Sequence, residues 1–283
     1  MPELITDGFP VPESKLALFD IDGTLIDKDY RVTDDSIYGK MQEAQDADWT
    51  IGLSSDTPYE AMQLWRQRFG INGPIVAEKG ALVEHNGGLL FDEKEVAAFL
   101  HARNRILDNL EQDGVRLWRG NPVEAIRENL RFGAPGDVVA LVNTFRQCSL
   151  SFFVRTVNAE GELIINNELT ERIVADARPL YPNYDDIEED LNHDYGIVIA
   201  SREANTKRAG SQRLLGILGT KDFAMVGNSI TDYVGNDIAV HYAVEDSTPA
   251  YKEVADYIAT APLTAGTVEI LSGLTTHGVH QTT

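Results

Sequence analysis

Both ends of this 283-residue chain alternate short, wholly apolar runs with amphipathic helical patterns, and the middle does not. That interruption constrains the fold more than any other feature. A strand that is apolar at every position must be covered on both faces, as in a parallel sheet lying between layers of helix. The first such run, LALFDIDGTL after Lys15, ends in two carboxylates and a glycine. It therefore delivers polar groups at the carboxyl end of a buried strand, where α/β sheets place their chemistry. Thr33 is a candidate cap for a helix with Ile37, Met41 and Ala44 on one face, and WTIGLSS reads as a second strand. Pro58 opens a helix with Ala61, Met62, Trp65 and Phe69 as its buried stripe, Gly70 marks its end, and PIVAEKG is a third strand.

From residue 81 the texture changes. ALVEH and LLF flank Asn86, Gly87 and Gly88, which is a hairpin signal. Helical patterns between Glu93 and Gln147 precede strands SLSFFVRTV and ELIIN, a helix from Thr170 toward Leu180, and strand YGIVIAS. This mixture describes a self-contained α+β insert. Beyond residue 200 the alternation returns with helix KRAGSQRLLGIL, strand FAMVG, helix ITDYVGNDIA, strand HYAVE and helices PAYKEVADYIA and TVEILSGL, and the polar tail from Ser272 is expected to fray. The predicted class is α/β: a Rossmann-like parallel-sheet core from residues 1–80 and 201–283, with an α+β domain inserted at 81–200.

Composition narrows the partners. With 24 basic and 45 acidic residues the net charge is −21, a field that repels phosphate backbones and anionic lipid, so neither nucleic acid nor a membrane surface is expected. Cys148 is the only cysteine, which excludes an intrachain disulfide and a multi-thiolate zinc site. The first residues lack the basic and apolar regions of a signal peptide, and no apolar run approaches a membrane span, so a cytoplasmic location is expected. The six histidines lie at no ligand spacing.

Asp20 and Asp22 close the first strand two positions apart. Such a pair carries desolvation and repulsion costs that a hard cation with oxygen ligands offsets, and Mg²⁺ is the natural candidate. The pair alone fits a solvated Asp-Gly turn equally well.

FDIDGTL, however, resembles the first motif of the haloacid dehalogenase superfamily of aspartate-nucleophile phosphatases and phosphomutases. The resemblance implies that Asp20 attacks phosphorus and that Asp22 protonates the leaving alkoxide and then activates water, with Gly23 and Thr24 of the same motif among the substrate-binding residues. It implies that Ser55, in the strand ending SSDT, hydrogen-bonds the phosphoryl group. Relatives with a mobile α/β cap usually follow that residue with Gly-Arg, where this chain has Asp56 and Thr57. Lys207 in EANTKRAG matches the third motif, a lysine that neutralises the nucleophile and phosphoryl oxygens, with Arg208 as its neighbouring competitor. In GNSITD, Gly227 and Asp232 keep the fourth motif, while Asn228 replaces an aspartate ligand and Thr231 an asparagine. The implied metal set is Asp20, Asp22, Asn228 and Asp232.

The long gap between Ser55 and Lys207 puts the cap in the second insertion position, a C2-type cap. PIVAEKGALVEHNGG resembles the cap entrance of the Cof-like and sucrose-phosphatase-like branch, with Lys79 in place of an asparagine. Lys79 reads as a surface residue first and as a charge at the cleft second. The implied activity is Mg²⁺-dependent hydrolysis of a small phosphorylated metabolite, with a sugar phosphate the leading candidate, in a cleft between core and cap. The alternatives are a phosphomutase of the same superfamily and a catalytically weak phospholigand-binding protein, the latter suggested by Asn228. Oligomeric state is not legible in the sequence.

Overall fold

The computed structural model describes residues 9–127, 132–180, 186–193 and 196–277. The chain begins with β1 (Leu16–Phe19), α1 (Ser36–Asp46), β2 (Thr50–Ser54), α2 (Tyr59–Phe69) and β3 (Ile75–Ala77). A 3₁₀ turn at Glu78–Gly80 leads into β4 (Leu82–His85) and β5 (Gly88–Leu90). Next come α3 (Glu93–Gln112), β6 (Arg116–Gly120), α4 (Pro122–Arg127), β7 (Val138–Asn143), β8 (Leu150–Val157), β9 (Leu163–Ile165), α5 (Asn167–Ala177), β10 (Ile187–Asn192) and β11 (Ile197–Arg202). The last part contains α6 (Lys207–Leu218), β12 (Ala224–Gly227), β13 (Val240–Ala243), α7 (Pro249–Lys252), β14 (Tyr257–Ile258) and α8 (Leu263–His277).

The chain divides into two compact units, Met1–Leu90 with Asn205–Thr283, and Phe91–Ala204. The first holds an eight-stranded sheet in the order β14-β13-β12-β1-β2-β3-β4-β5, parallel from β14 to β3. Central β1 lies between β12 and β2 and is wholly buried, which explains its unbroken apolar sequence. Leu16 and Leu18 pack with Leu214 and Leu215 of α6 and with Phe223 and Met225. Each such buried side chain contributes about 1.5–3 kcal/mol relative to exposure.

Several expectations change. The hairpin placed in the insert belongs to the first sheet, where β4 pairs antiparallel with β3 and β5 with β4, so the boundary moves from 80/81 to 90/91. The return crossing moves from 200/201 to 204/205. Thr33 does not cap α1; its hydroxyl bonds to Thr264 across the unit, and Asp35 occupies the cap position. ITDYVGNDIA forms only a 3₁₀ turn at Ile230–Asp232, and PAYKEVADYIA shortens to α7 before β14. Helix α8 continues through Ser272 to His277, where fraying was expected. His280 lies outside the described residues.

The second unit is built on β10-β11-β8-β7-β6, with β9 added beside β8, and only β6–β7 pair in parallel. Its α3 contributes Phe99, Ala102, Ile106, Leu107 and Leu110 to a core shared with Leu150, Phe152 and Val154 of β8. Among the helical patterns expected between Glu93 and Gln147, the structure therefore inserts two strands, β6 and β7.

Candidate active site

The polar residues of the first unit converge where β1, β2 and β12 reach their carboxyl ends. Asp20 directly follows β1, and its N–H donates to the Val226 carbonyl at 2.8 Å, so the strand pairing fixes its backbone. Lys207 opens α6, which is capped by Thr206 accepting from Ala209 N–H at 3.1 Å. The Glu78–Gly80 turn is seated on this helix start: a side chain at Gly80, whose φ is +92°, would collide with the Thr206 carbonyl. Lys207 Nζ donates to Asp20 Oδ1 at 2.7 Å and to Asp232 Oδ1 at 2.5 Å, and all three side chains are buried. The other oxygen of Asp232 accepts the N–H groups of Asn228 and Ser229, each at 2.9 Å.

This arrangement sets the charges. Burial lowers the proton affinity of Lys207, but the carboxylates of Asp20, Asp232 and Asp56 and the Asp20 hydrogen bond raise it above that of an ordinary lysine. Asp20 is pushed well above the usual carboxylate range, first by burial and then by the charges of Asp232 and Asp22, against the pull of Lys207. Burial and the neighbouring carboxylates thus favour a proton on Asp20, and Lys207 opposes it.

Asp22 is exposed in the loop after Asp20, and its Oδ2 accepts the Thr57 hydroxyl at 3.3 Å. Ser55 is buried at the end of β2; its N–H donates to the Val76 carbonyl at 3.0 Å, and its hydroxyl donates to Thr57 Oγ1 at 3.1 Å. Asn228 lies against Gly23: any side chain at Gly23, whose φ is +78°, would collide with the Asn228 amide nitrogen. The structure therefore brings Asp20, Asp22, Gly23, Ser55, Lys207, Asn228 and Asp232 into one region of the first unit. Thr24 departs from expectation. Its hydroxyl is shut inside the unit without a hydrogen bond, and its carbonyl accepts Thr267 Oγ1 at 3.0 Å, so the side chain is not presented to a ligand. Arg208, the competitor to Lys207, turns away into an exposed pair with Asp237, both oxygens accepting at 2.9 and 3.0 Å. Lys79 stands at φ 61° with its N–H on the Ser55 carbonyl at 3.3 Å. Thr57 was missed as a site residue. Its only sequence signal is its position, where the resemblance expects arginine.

Among the described residues no three His, Cys, Asp or Glu side chains cluster as a metal centre. Lys207 and the turn amides occupy both oxygens of Asp232, which acts here as the lysine's partner. Asp20 and Asp22 supply hard oxygen donors at the end of β1, and Asn228, whose side-chain amide lies beside Gly23, offers a neutral one. Mg²⁺ usually takes one or two carboxylates together with substrate phosphate oxygens, and this donor set fits that mode of binding.

The comparisons with known proteins agree with this geometry. Residues 17–118 match the family model of haloacid dehalogenase-like hydrolases. No curated protein matches the sequence. The structure is similar to a haloacid dehalogenase-like hydrolase from Bacteroides thetaiotaomicron at TM-score 0.65 and 13% identity, over 91% of this chain and 98% of that one. It is similar to a HAD/COF-like hydrolase from Plasmodium vivax at TM-score 0.60 and 14% identity, over 92% and 95%. A subclass IIB sugar phosphatase of the superfamily matches at TM-score 0.55 and 15% identity, over 94% and 98%. The segment that carries Asp20, Asp22 and Ser55 thus matches the haloacid dehalogenase-like hydrolase model, and the chain as a whole shares its fold with the HAD/COF-like hydrolases it resembles.

Proposed function

We propose that the protein hydrolyses phosphomonoesters of small metabolites, sugar phosphates foremost, through an aspartyl-phosphate at Asp20. The observation that carries this reading is Lys207 held between Asp20 and Asp232, which keeps a buried cation beside the proposed nucleophile. A carboxylate oxygen of Asp20 attacks phosphorus as the ester P–O bond breaks, and protonated Asp22 gives its proton to the departing oxygen. Ionised Asp22 then takes a proton from water, whose oxygen displaces Asp20 from phosphorus and releases inorganic phosphate. Lys207 and Ser55 stabilise the phosphoryl oxygens, and Asp232 holds Lys207 in place. Asp20, Asp22 and Asn228 would hold Mg²⁺, which when bound supplies positive charge that favours ionised Asp20 and screens the phosphoryl group. Residues 91–204 act as a C2-type cap that selects the leaving group, and the enzyme works in the cytoplasm. No helix among the described residues is long and apolar enough to cross a membrane.

The test is phosphate release from sugar, polyol and nucleotide monophosphates across a Mg²⁺ titration. Turnover should require the metal, and Asp20→Asn should lower it at least about 10³-fold, as expected when a nucleophile is removed. Near wild-type hydrolysis by Asp20→Asn rejects the assignment. Asn228 favours one second reading: a neutral ligand weakens Mg²⁺ binding, so the protein binds a phosphorylated ligand and turns it over poorly. Tight ligand binding without hydrolysis at high Mg²⁺ would select that reading.

A further inference from the structure

We propose that Thr57 is a positioning residue for Asp22, joining the phosphoryl-binding serine to the proton-transferring carboxylate. The inference rests on the phosphatase reading above. Thr57 stands two residues beyond Ser55, and three hydrogen bonds connect the group. The Thr57 N–H donates to Ser55 Oγ at 3.2 Å, Ser55 Oγ donates to Thr57 Oγ1 at 3.1 Å, and Thr57 Oγ1 donates to Asp22 Oδ2 at 3.3 Å.

The direction of this chain follows from proton count. The Thr57 hydroxyl donates to Asp22 Oδ2, so its single proton is spent there, and this oxygen can accept it even when the other carboxylate oxygen carries the acid proton. The bond between the two hydroxyls must then use the proton of Ser55, and the Ser55 oxygen is oriented by the Thr57 amide. Ser55 is 1% exposed and fixed by strand pairing, whereas Asp22 is exposed on a loop that depends on side-chain bonds to hold one rotamer. Thr57 thus ties the exposed one of the two carboxylates to the buried end of β2. The same bonds make ligand binding consequential: a phosphoryl oxygen that takes the Ser55 proton removes a donor from Thr57 Oγ1 without disturbing the bond from Thr57 to Asp22.

The effect should appear where the leaving oxygen needs a proton. For an alkyl phosphate, kcat/KM includes protonation of the leaving group by Asp22. For p-nitrophenyl phosphate the leaving group departs as an anion unaided, so the same constant depends little on that proton. Thr57→Val keeps the shape of the side chain and removes its hydroxyl. We expect kcat/KM for the alkyl ester to fall about tenfold to a hundredfold, the range for losing one hydrogen bond to a charged group, while p-nitrophenyl phosphate is affected far less. Thr57→Ser should restore the alkyl-ester rate, and Thr57→Ala provides the same comparison if the valine variant does not fold. Equal losses on both esters, or no loss on either, would overturn the positioning role while leaving the phosphatase reading intact. Wild-type protein inactive on both esters at saturating Mg²⁺ would instead reject the reading on which the role depends.

Discussion

Lys207 in the first unit and Arg155 in the second are both cations withdrawn from water, 4% and 5% exposed, yet their surroundings drive their proton affinities in opposite directions. Burial works against the charged form of each. Around Lys207 the carboxylates of Asp20, Asp232 and Asp56 overcome it. Around Arg155 burial prevails and pushes the pKa down to about 10, while the guanidinium donates to the Val154 and Gly196 carbonyls at 2.9 and 3.0 Å and lies 5.5 Å from the Phe153 ring. The difference separates a charge held among carboxylates from one that ties β8 to the residue before β11. In the first case the cation neutralises neighbours that would otherwise repel one another; in the second it costs the fold solvation in return for hydrogen bonds to backbone.

The largest effect that could break this comparison belongs to Lys207→Met. The substitution leaves two buried carboxylates without their shared cation, so urea unfolding should show a loss of about 3–5 kcal/mol, together with loss of phosphate release. The stability deficit should narrow as pH falls, because Asp20 without Lys207 binds a proton more readily in the folded than in the unfolded chain. Arg155→Met should change unfolding free energy by no more than about 1–2 kcal/mol, because relieved desolvation offsets hydrogen bonds worth about 1 kcal/mol each. Phosphate release should not change. Equal destabilisation by the two substitutions would erase the distinction between the cations.

His241 gives the smallest and sharpest test. It is fully buried, its Nε2 accepts the Val234 N–H at 3.1 Å, and its Nδ1 is 3.8 Å from the Asp256 carboxylate. Burial nevertheless holds its pKa below the ordinary 6.5, against the opposing pull of Asp256 and Asp232. The unfolded chain therefore binds the proton more tightly. This contribution to stability is complete above the unfolded pKa of about 6.5 and is lost as pH falls toward the depressed folded value, with a slope of at most about 1.4 kcal/mol per pH unit. The difference in melting temperature between wild type and His241→Gln should shrink between pH 7 and 5. A constant difference would show that a carboxylate 3.8 Å away suffices to compensate burial.

Much of the parallel sheet was legible because strands covered on both faces leave no polar positions to confuse the pattern, as in Ala17, Leu18 and Phe19. The second unit was less legible for two reasons. VVALVN in β7 is a short apolar run compatible with either a strand or a buried helix. IEEDLN in β10 is an acidic edge strand whose residues disfavour extended pairing on their own, and β11 supplies the hydrogen bonds that hold it. Near the site, the motif resemblance pointed to Asp20, Ser55 and Lys207, but could not show that Asp232 spends both oxygens on Lys207 and two turn amides. The helix expected over ITDYVGNDIA ends after one 3₁₀ turn, with Gly235 at φ +101° beyond it. Thr57 was invisible for a different reason: a hydroxyl becomes informative only when its partners are placed around it.

The contact between Gly23 and Asn228 joins the first and last thirds of the sequence at a point with room for a hydrogen atom and nothing larger. The earlier position is therefore held to glycine both by its positive φ and by the side chain packed against it. An alanine at the earlier position would demand a retreat of the later side chain. A library at the later position alone can therefore explore a different ligand set at this corner of the molecule, whereas one at the earlier position meets both the collision and the strain of φ +78°.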